Sequence, residues 1–300
     1  MKPCIRRPRA AHIASAAALF LLLAPVLTGC APLVNQMAFY PDRTYRLPHE
    51  QLPHDVKPIS IAAEHQPTLA AYFLPSERSG KLLIYFHGNA GNLDYWLPTL
   101  IRLRDMGVNV LGVEYRGFGR SEGSPSEHGL YADGEAAWTY ATQTLGYRPE
   151  DILLVGRSIG TTVATHVAAA RRPGGLILVS PMTDAKSVVR SLGLIALLAG
   201  NAFDNLARCP DIAAPTLVIH GTDDRIIPAE MGALIFDAIP ASKRFVLIRG
   251  AGHIRLDKRD EYWEAIEQFV SAARASARAG SDWTLMQLGG VPIQRAVVTR

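Results

Sequence analysis

The chain has 300 residues, which suits one large domain or two small ones, and its hydrophobic content of 48% and charged content of 19% argue against an intrinsically disordered protein. The formal net charge of +4 comes entirely from basic residues in the first 29 positions, because the rest of the chain has 27 basic and 27 acidic residues. The positive net charge therefore gives no argument for nucleic-acid binding, and we predict no nucleic-acid partner.

The first 29 residues have the pattern of an export signal. The basic stretch Lys2–Arg9 precedes the apolar run Ala16–Leu27, which is too short to span a bilayer comfortably. Residues 27–30 read Leu-Thr-Gly-Cys, which resembles the bacterial lipoprotein box, where cleavage precedes the cysteine and the cysteine is lipidated. The resemblance implies acyl chains on Cys30 and stable membrane attachment. The alternative is an ordinary secretory signal that happens to contain a cysteine.

The residue after the cysteine bears on localisation. Ala31, rather than Asp, resembles the outer-membrane sorting class of Gram-negative bacteria. We therefore expect an exported, membrane-anchored lipoprotein, facing the periplasm from the outer membrane if the organism is Gram-negative.

The three cysteines predict neither a disulfide nor a metal site. Cys4 leaves with the signal and Cys30 would carry lipid, so Cys209 is alone in the mature chain. The cysteine spacing does not match a zinc or iron–sulfur site. We predict no metal ligands.

Strands and helices alternate from about Pro58 onward. Residues 30–57, rich in Pro, His and polar side chains, are interpreted as a tether or wrapping segment, and residues 58–275 as the domain. The alternation implies a mostly parallel sheet covered by helices on both faces. In chain order the predicted elements are the strands Ile59–Ala63, Leu69–Leu74 and Leu82–Phe86, the helix Tyr95–Met106, the strand Val108–Tyr115, the helix Ser126–Leu145, the strand Asp151–Val155, the helix Thr161–Ala170, the strands Leu176–Ser180, Thr216–His220 and Arg244–Ile248, and the helix Glu261–Ala275.

Two further segments leave alternatives open. The stretch 183–213 lies between two predicted strands and contains the apolar run Leu192–Ala199. It is either a plain crossover helix or a small cap over the active site. Residues 276–300 fit an extra strand, a packed tail or disorder, and their structure is not predicted.

The sequence Gly156-Arg157-Ser158-Ile159-Gly160 lies between a predicted strand and a predicted helix. A Gly-x-Ser-x-Gly motif in this position is typical of a sharp turn that pushes the serine hydroxyl out of the backbone. The glycines stand where a Cβ would crowd the neighbouring strand and helix. The helix N-terminus favours developing negative charge. By itself the motif also describes an ordinary glycine-rich turn.

Candidate partners for Ser158 follow two later strands. A serine hydroxyl is a poor nucleophile and needs a base within hydrogen-bond reach, which in turn needs an orienting acid. Asp223 and Asp224 follow one strand, and a glycine-rich turn after the next strand leads to His253. Side chains at these strand ends point into the same crevice as Ser158.

The chain order Ser158, Asp224, His253 is that of the α/β-hydrolase fold, and the chain resembles that superfamily across roughly residues 58–275. Residues 85–92, Tyr-Phe-His-Gly-Asn-Ala-Gly-Asn, and 115–123, Tyr-Arg-Gly-Phe-Gly-Arg-Ser-Glu-Gly, resemble the branch that contains depalmitoylase-type serine hydrolases and their serine-peptidase-like bacterial relatives. The resemblance implies an α/β-hydrolase fold, with a mostly parallel central sheet, helices on both faces and a small helical insertion.

The resemblance also implies roles for individual residues. The superfamily's acid commonly stands in a Gly-x-x-Asp-x-x-Val/Ile-Pro arrangement, which residues 221–228 match with Asp224 in the acid position. Asp223 remains the alternative and is expected to cap the turn or face solvent. The implied oxyanion hole uses the backbone N–H groups of Ile159 and Asn89.

The other basic side chains near these motifs are expected to be structural. His87 is a competing base, but it lies in the oxyanion loop and is expected to brace that loop. His220 is expected to pack at a strand end, and His166 within the helix after Ser158. Arg157 could brace a neighbouring loop or lie under the site.

Together these residues predict a serine hydrolase that cleaves an acyl ester or thioester through an acyl-enzyme, without a cofactor. The expected substrate is a small-molecule or lipid acyl compound, with the membrane reached through Cys30. The alternatives are an acyltransferase or peptidase on the same triad, or a non-catalytic binding lipoprotein. A dehalogenase or epoxide hydrolase is disfavoured, because those enzymes have an aspartate where Ser158 stands. No oligomeric state is predicted.

Overall fold

The computed structural model describes residues 39–45, 47–77, 80–192 and 202–279. The predicted signal at 1–29, Cys30, most of the apolar run in the 183–213 segment and residues 280–300 lie outside these ranges. Contacts group the described residues from Tyr40 onward into one compact unit, which contains every element given below. None of the helices in the described ranges is long and apolar enough to cross a bilayer.

The strands and helices alternate along most of this unit. The strands are β1 (Tyr40–Pro41), β2 (Lys57–Ile61), β3 (Leu69–Leu74), β4 (Leu82–Phe86), β5 (Ala90–Gly91), β6 (Asn109–Val113), β7 (Ile152–Arg157), β8 (Gly175–Val179), β9 (Thr216–Gly221) and β10 (Lys243–Ile248). The α-helices are α1 (Leu93–Asp105), α2 (Glu127–Thr139), α3 (Gly160–Arg171), α4 (Ala185–Ser191), α5 (Ala229–Ala238) and α6 (Asp260–Ala279).

The main sheet of the described chain has eight strands in the order β10-β9-β8-β7-β4-β6-β3-β2. Neighbouring strands from β10 to β6 are parallel, whereas β3 is antiparallel to β6 and to β2. Every residue of β4, β6, β7, β8 and β9 is buried, as expected for strands covered by helices on both faces. The predicted α/β-hydrolase fold class is confirmed.

The predicted boundaries differ from the observed ones mainly at element ends. The strands Leu69–Leu74 and Leu82–Phe86 are found as predicted, because turn residues bound both apolar runs. The long helix predicted from Ser126 ends earlier as an α-helix, and residues 140–144 form a π-helical turn. Ser126 is its N-cap, with its hydroxyl accepting from Gly129 N at 3.1 Å.

Contacts of residues 40–45 and 47–57 join this segment to the domain. Strand β1 pairs in parallel with β5, which follows the loop after β4. The Asn92 amide donates to the carbonyl of Thr44 at 3.0 Å, and Leu47 N donates to the Asp94 carboxylate at 2.8 Å. This part of the segment interpreted as a tether or wrapping segment therefore wraps the start of α1.

The ends of the 183–213 segment contact each other. Asn205 N donates to the carbonyl of Thr183 at 2.9 Å, and a short 3-10 helix at Leu206–Asp211 leads back toward the sheet. The choice between crossover helix and cap depends on residues 193–201, which lie outside the described ranges.

The carboxyl ends of β4, β7, β9 and β10 meet at one edge of the sheet, because these strands are parallel. Ser158 directly follows β7, Asp224 lies three residues after β9, and His253 lies five residues after β10. The topology thus brings residues that are far apart in sequence to one crevice.

Gly160, where α3 begins, packs tightly on the end of β4. An added Cβ would collide with the carbonyl oxygen of Phe86 and lie 2.6 Å from that of His87. We expect Gly160→Ala to lower the free energy of unfolding by about 3 kcal/mol or more, because backbone atoms cannot move aside cheaply. Urea denaturation would measure the change.

Gly80→Ala is the matched control for this prediction. An added Cβ there meets nothing within 4 Å. The control should change the free energy of unfolding by less than about 1 kcal/mol. Equal stabilities for the two variants would contradict the close packing of Gly160.

Candidate active site

Ser158 occupies a sharp turn between β7 and α3. Its φ of 54° lies in the left-handed region, which is uncommon for residues other than glycine and marks local strain. The turn is fixed by hydrogen bonds from Ser158 N to the carbonyl of Val179, at 2.9 Å, and from the Thr161 hydroxyl to the carbonyl of Ser158, at 2.6 Å. A Cβ on Gly156 would lie 2.7 Å from the Thr161 Cα, so glycine is required there.

The hydroxyl of Ser158 begins a chain of two side-chain hydrogen bonds. His253 Nε2 lies 2.9 Å from Ser158 Oγ, and His253 Nδ1 lies 2.7 Å from Asp224 Oδ2. Because a carboxylate only accepts, Nδ1 carries the hydrogen and Nε2 is free to accept from the serine hydroxyl. The structure therefore brings the three side chains predicted as a triad into direct contact.

Asp224 is held by hydrogen bonds to both carboxylate oxygens. Its Oδ1 accepts from the backbone N–H groups of Ile226 at 3.0 Å and Ile227 at 2.8 Å. Burial by itself would raise the pKa of Asp224, but hydrogen bonds from His220, His253 and the Ile227 N–H outweigh burial and hold this pKa well below its usual range. The carboxylate is therefore charged at neutral pH.

Asp223, the alternative acid, lies on the exposed side of the same loop. Its Oδ1 accepts from the Thr222 hydroxyl at 2.9 Å, and its backbone N–H donates to the carbonyl of Ala251 at 3.0 Å. Of the two neighbouring aspartates, Asp224 is therefore the one in contact with His253.

The amino-acid sequence is similar to a known protein family and to individual known proteins. A model of the family described as "Serine aminopeptidase, S33" matches residues 77–208. The human protein named alpha/beta hydrolase domain-containing protein 17B is 34% identical over 190 residues, covering 63% of this chain and 66% of that protein. Alpha/beta hydrolase domain-containing protein aho-3 of Caenorhabditis elegans is 33% identical over 205 residues, covering 68% of this chain and 61% of that protein. The match thus spans just under two thirds of these relatives' own lengths.

Solved structures share the fold. The esterase Pf2001 of Pyrococcus furiosus superimposes with a TM-score of 0.64 at 19% identity, covering 77% of this chain and 98% of that one. Est1E of Butyrivibrio proteoclasticus, solved with ferulic acid bound, superimposes with a TM-score of 0.62 at 21% identity, covering 72% and 99%. This chain has the α/β-hydrolase fold, and its sequence is similar to those of α/β-hydrolase domain proteins. Its status as a bacterial lipoprotein stays a prediction.

The loop after β4 passes beside the serine. A Cβ on Gly88 would lie 3.6 Å from the Ser158 Cβ. Asn89 follows, and its side-chain oxygen accepts from Tyr40 N at 3.1 Å. Ile159 is buried at the start of α3. The backbone N–H roles of Asn89 and Ile159 in an oxyanion hole stay predictions.

His87 is fully buried behind this loop. Its Nδ1 lies 2.7 Å from the carbonyl oxygen of Gly88, and its Nε2 lies 3.2 Å from Oε1 of Glu114, which is also buried. Oε2 of Glu114 accepts from the Tyr45 hydroxyl at 2.7 Å and from Leu93 N at 3.0 Å. Burial, together with the nearby Glu114 carboxylate, raises the pKa of Tyr45 far above its usual value. The Tyr45 hydroxyl therefore stays protonated and donates a hydrogen bond to Glu114. His87 therefore braces the loop after β4 through its contacts with Gly88 and Glu114.

His220 contacts Asp224, the acid of the hydrogen-bond chain. The sequence analysis did not predict this contact. The expected packing at a strand end is present, since Nε2 lies 2.8 Å from the carbonyl oxygen of Ile227. The same nitrogen also lies 3.4 Å from Asp224 Oδ2. Two oxygen acceptors around Nε2 require a hydrogen on it. The four-residue spacing between His220 and Asp224, across the end of β9, was the available signal.

The remaining histidine of interest lies away from the crevice. His166 stacks on Tyr131 with ring centroids 4.5 Å apart and lies 3.4 Å from Glu135. It joins α2 to α3, so its contacts are structural. Within the described part of the chain, no cluster of His, Cys, Asp and Glu could hold a metal ion.

Proposed function

We propose that this α/β hydrolase is a serine hydrolase that cleaves an acyl ester or thioester. Ser158 is the nucleophile, His253 the general base and Asp224 the orienting acid. The observation that supports this assignment is the continuous hydrogen-bond chain from Ser158 Oγ through His253 to Asp224. The assignment also agrees with the serine aminopeptidase family whose model matches residues 77–208.

The proposed reaction has two stages, acylation of Ser158 and hydrolysis of the acyl-enzyme. His253 takes the proton of Ser158 as Oγ attacks the acyl carbon, and Asp224 stabilises the imidazolium that forms. The backbone N–H groups of Ile159 and Asn89 donate to the oxyanion. His253 then protonates the leaving alcohol or thiol. Water, deprotonated by the same histidine, attacks the acyl-enzyme, and His253 returns this proton to Ser158 Oγ as the carboxylic acid leaves.

A hydrophobic acyl group is the substrate that the surroundings of the crevice favour. Ile226 and Ile254, on the loops that carry Asp224 and His253, are 38% and 69% exposed. Tyr95, in the first turn of α1, is 59% exposed. Exposed apolar side chains on the loops of Asp224 and His253, and on the helix that follows the Gly88 loop, offer contact surface to an acyl chain.

We further propose that lipidated Cys30 anchors the protein to a membrane, the outer membrane in a Gram-negative organism. The chain between Cys30 and Tyr40 reaches at most about 35 Å when fully extended. Because β1 pairs with β5 beside the loop after β4, that reach would keep the crevice close to the bilayer surface. An acyl substrate drawn from the membrane would suit this arrangement.

A series of p-nitrophenyl esters of increasing acyl length, with matched thioesters and amides, tests the proposed function. We expect the wild type to hydrolyse esters and thioesters, with kcat/KM rising with acyl length. Cleavage of amides alone would indicate a peptidase, and acyl transfer to an added alcohol or thiol would indicate an acyltransferase. A wild type that no fluorophosphonate probe labels would overturn the proposal in favour of a binding protein.

A further inference from the structure

Arg157 is a buried cation directly beside Ser158. It is the last residue of β7, and its side chain is only 6% exposed. Its guanidinium carbon lies 5.2 Å from the centroid of the Trp96 ring. A buried charge is costly unless it is paired and hydrogen-bonded. The partners of Arg157 therefore indicate what the residue does.

The oxygen atoms nearest to Nη2 of Arg157 lie in the segment that follows β10 and carries His253. Nη2 of Arg157 donates to the carbonyl oxygens of His253 at 3.2 Å and Ile254 at 3.3 Å. The same nitrogen lies 3.6 Å from Asp257 Oδ1. One guanidinium thus joins the strand of the nucleophile to the backbone of the predicted base.

The charge of Arg157 persists despite its burial. Burial by itself lowers the pKa of Arg157, but the neighbouring Tyr262, Tyr85 and Asp257 outweigh burial, and this pKa lies above its usual value. Hydrogen bonds from a charged donor are stronger than those from a neutral one. The contact to the His253 loop is therefore a charge-assisted one.

His253 is consequently held from two sides. Its imidazole is oriented by Ser158 and Asp224, whereas its backbone carbonyl is held by the residue next to Ser158 in sequence. Misplacing a catalytic group by about 1 Å can lower a rate by about 100-fold. The hydrogen bond from Arg157 to the His253 carbonyl joins the base to the strand that precedes Ser158, and it therefore limits such a displacement of His253.

We propose that Arg157 is a positioning residue that sets His253 relative to Ser158, a proposal that rests on the hydrolase function proposed above. The guanidinium is required because one planar group reaches two carbonyls and a carboxylate while lying beside the Trp96 ring. A lysine side chain is shorter and ends in a compact point charge, which has no planar face to lie beside the Trp96 ring. The residue itself does not touch the reacting atoms.

Steady-state kinetics of Arg157→Lys on a soluble ester provides the first test. We expect kcat to fall by about 30- to 100-fold with KM within about threefold, because the displacement affects chemistry and not substrate binding. The rate of fluorophosphonate labelling should fall in parallel, since it also requires activation of Ser158 by His253.

Arg116→Lys is the matched control. Arg116 is similarly enclosed, with a side chain 13% exposed, and it donates to Asp133, whose side chain is buried, away from the His253 loop. Its replacement is expected to lower Tm while kcat stays within about threefold of the wild type. An equal loss of kcat in both lysine variants would show that the effect is general destabilisation and would overturn the proposal.

Chemical rescue separates positioning from simple stability. In Arg157→Ala, guanidinium chloride below its unfolding range should restore kcat at least tenfold, whereas sodium chloride at equal ionic strength should not. A folded Arg157→Ala enzyme that is not rescued, or an Arg157→Lys enzyme with wild-type kcat, would overturn the proposal. If Arg157→Ala does not fold, the lysine pair decides. Failure of the wild type to react with ester or probe would instead overturn the proposed function.

Discussion

Replacing Ser158 with alanine is expected to lower kcat on an acyl ester by at least about 10⁴-fold and to abolish fluorophosphonate labelling. Alanine removes the hydroxyl that His253 Nε2 contacts at 2.9 Å but keeps the Cβ and the backbone conformation. The folded structure should therefore survive, and the free energy of unfolding should change little. Turnover and thermal denaturation of the same preparation measure both quantities.

Ser158→Gly is the control for this prediction. In an ordinary position glycine is less stable than alanine by about 0.5–1 kcal/mol because it loses more backbone entropy. At a φ of 54° glycine also relieves left-handed strain, which offsets that loss. We expect Ser158→Gly to be inactive and at least as stable as Ser158→Ala. Substantial turnover in either variant would contradict the role of Ser158 as nucleophile.

Asp224→Asn and Asp223→Asn form a pair of neighbouring substitutions with opposite expected results. Asp224→Asn should lower kcat by about 10⁴-fold, because an amide next to His253 Nδ1 no longer fixes the tautomer or stabilises the imidazolium. Asp223→Asn should leave kcat within about threefold of the wild type, because its exposed side chain contacts only Thr222 among the bonds described. Steady-state rates of the two purified variants measure the difference.

The fold of Asp224→Asn should be retained. The asparagine oxygen can still accept from the backbone N–H groups of Ile226 and Ile227, which hold the loop in the wild type. A circular dichroism spectrum like that of the wild type would establish this. Loss of activity in Asp223→Asn, with Asp224→Asn active, would show that the acid has been assigned to the wrong residue.

Local sequence patterns were sufficient to predict the eight strands of the main sheet and the helices α1, α2, α3 and α6. Apolar runs bounded by turn residues, such as Leu82–Phe86, predict buried strands, and their alternation with helices predicts a parallel sheet. Element ends were less well predicted, because they depend on capping and packing. The π-helical turn at 140–144 closes a helix that looks continuous in sequence.

The predicted site residues had a local signature of their own. A Cβ would collide with backbone atoms at Gly156 and Gly160 around Ser158, and Gly250 before His253 has a φ of 68°, in the left-handed region. Such turns depend on a few neighbouring residues and can be recognised in the sequence. The contacts of Arg157 and His220 have no comparable signature. Arg157 reaches the carbonyl of His253 across 96 residues of sequence, so only the strand order brings the two together.

The amino-acid sequence by itself therefore determined the fold class and the residues at the strand ends, because period, turn chemistry and spacing are local properties of a chain. Tertiary structure decided which of these residues meet: Asp224 and not Asp223 contacts His253, His220 lies near the same carboxylate, and Arg157 holds the His253 loop. The physical reason is that a hydrogen bond requires atoms within about 3 Å. Such distances between remote residues are set by the packing of whole strands and helices.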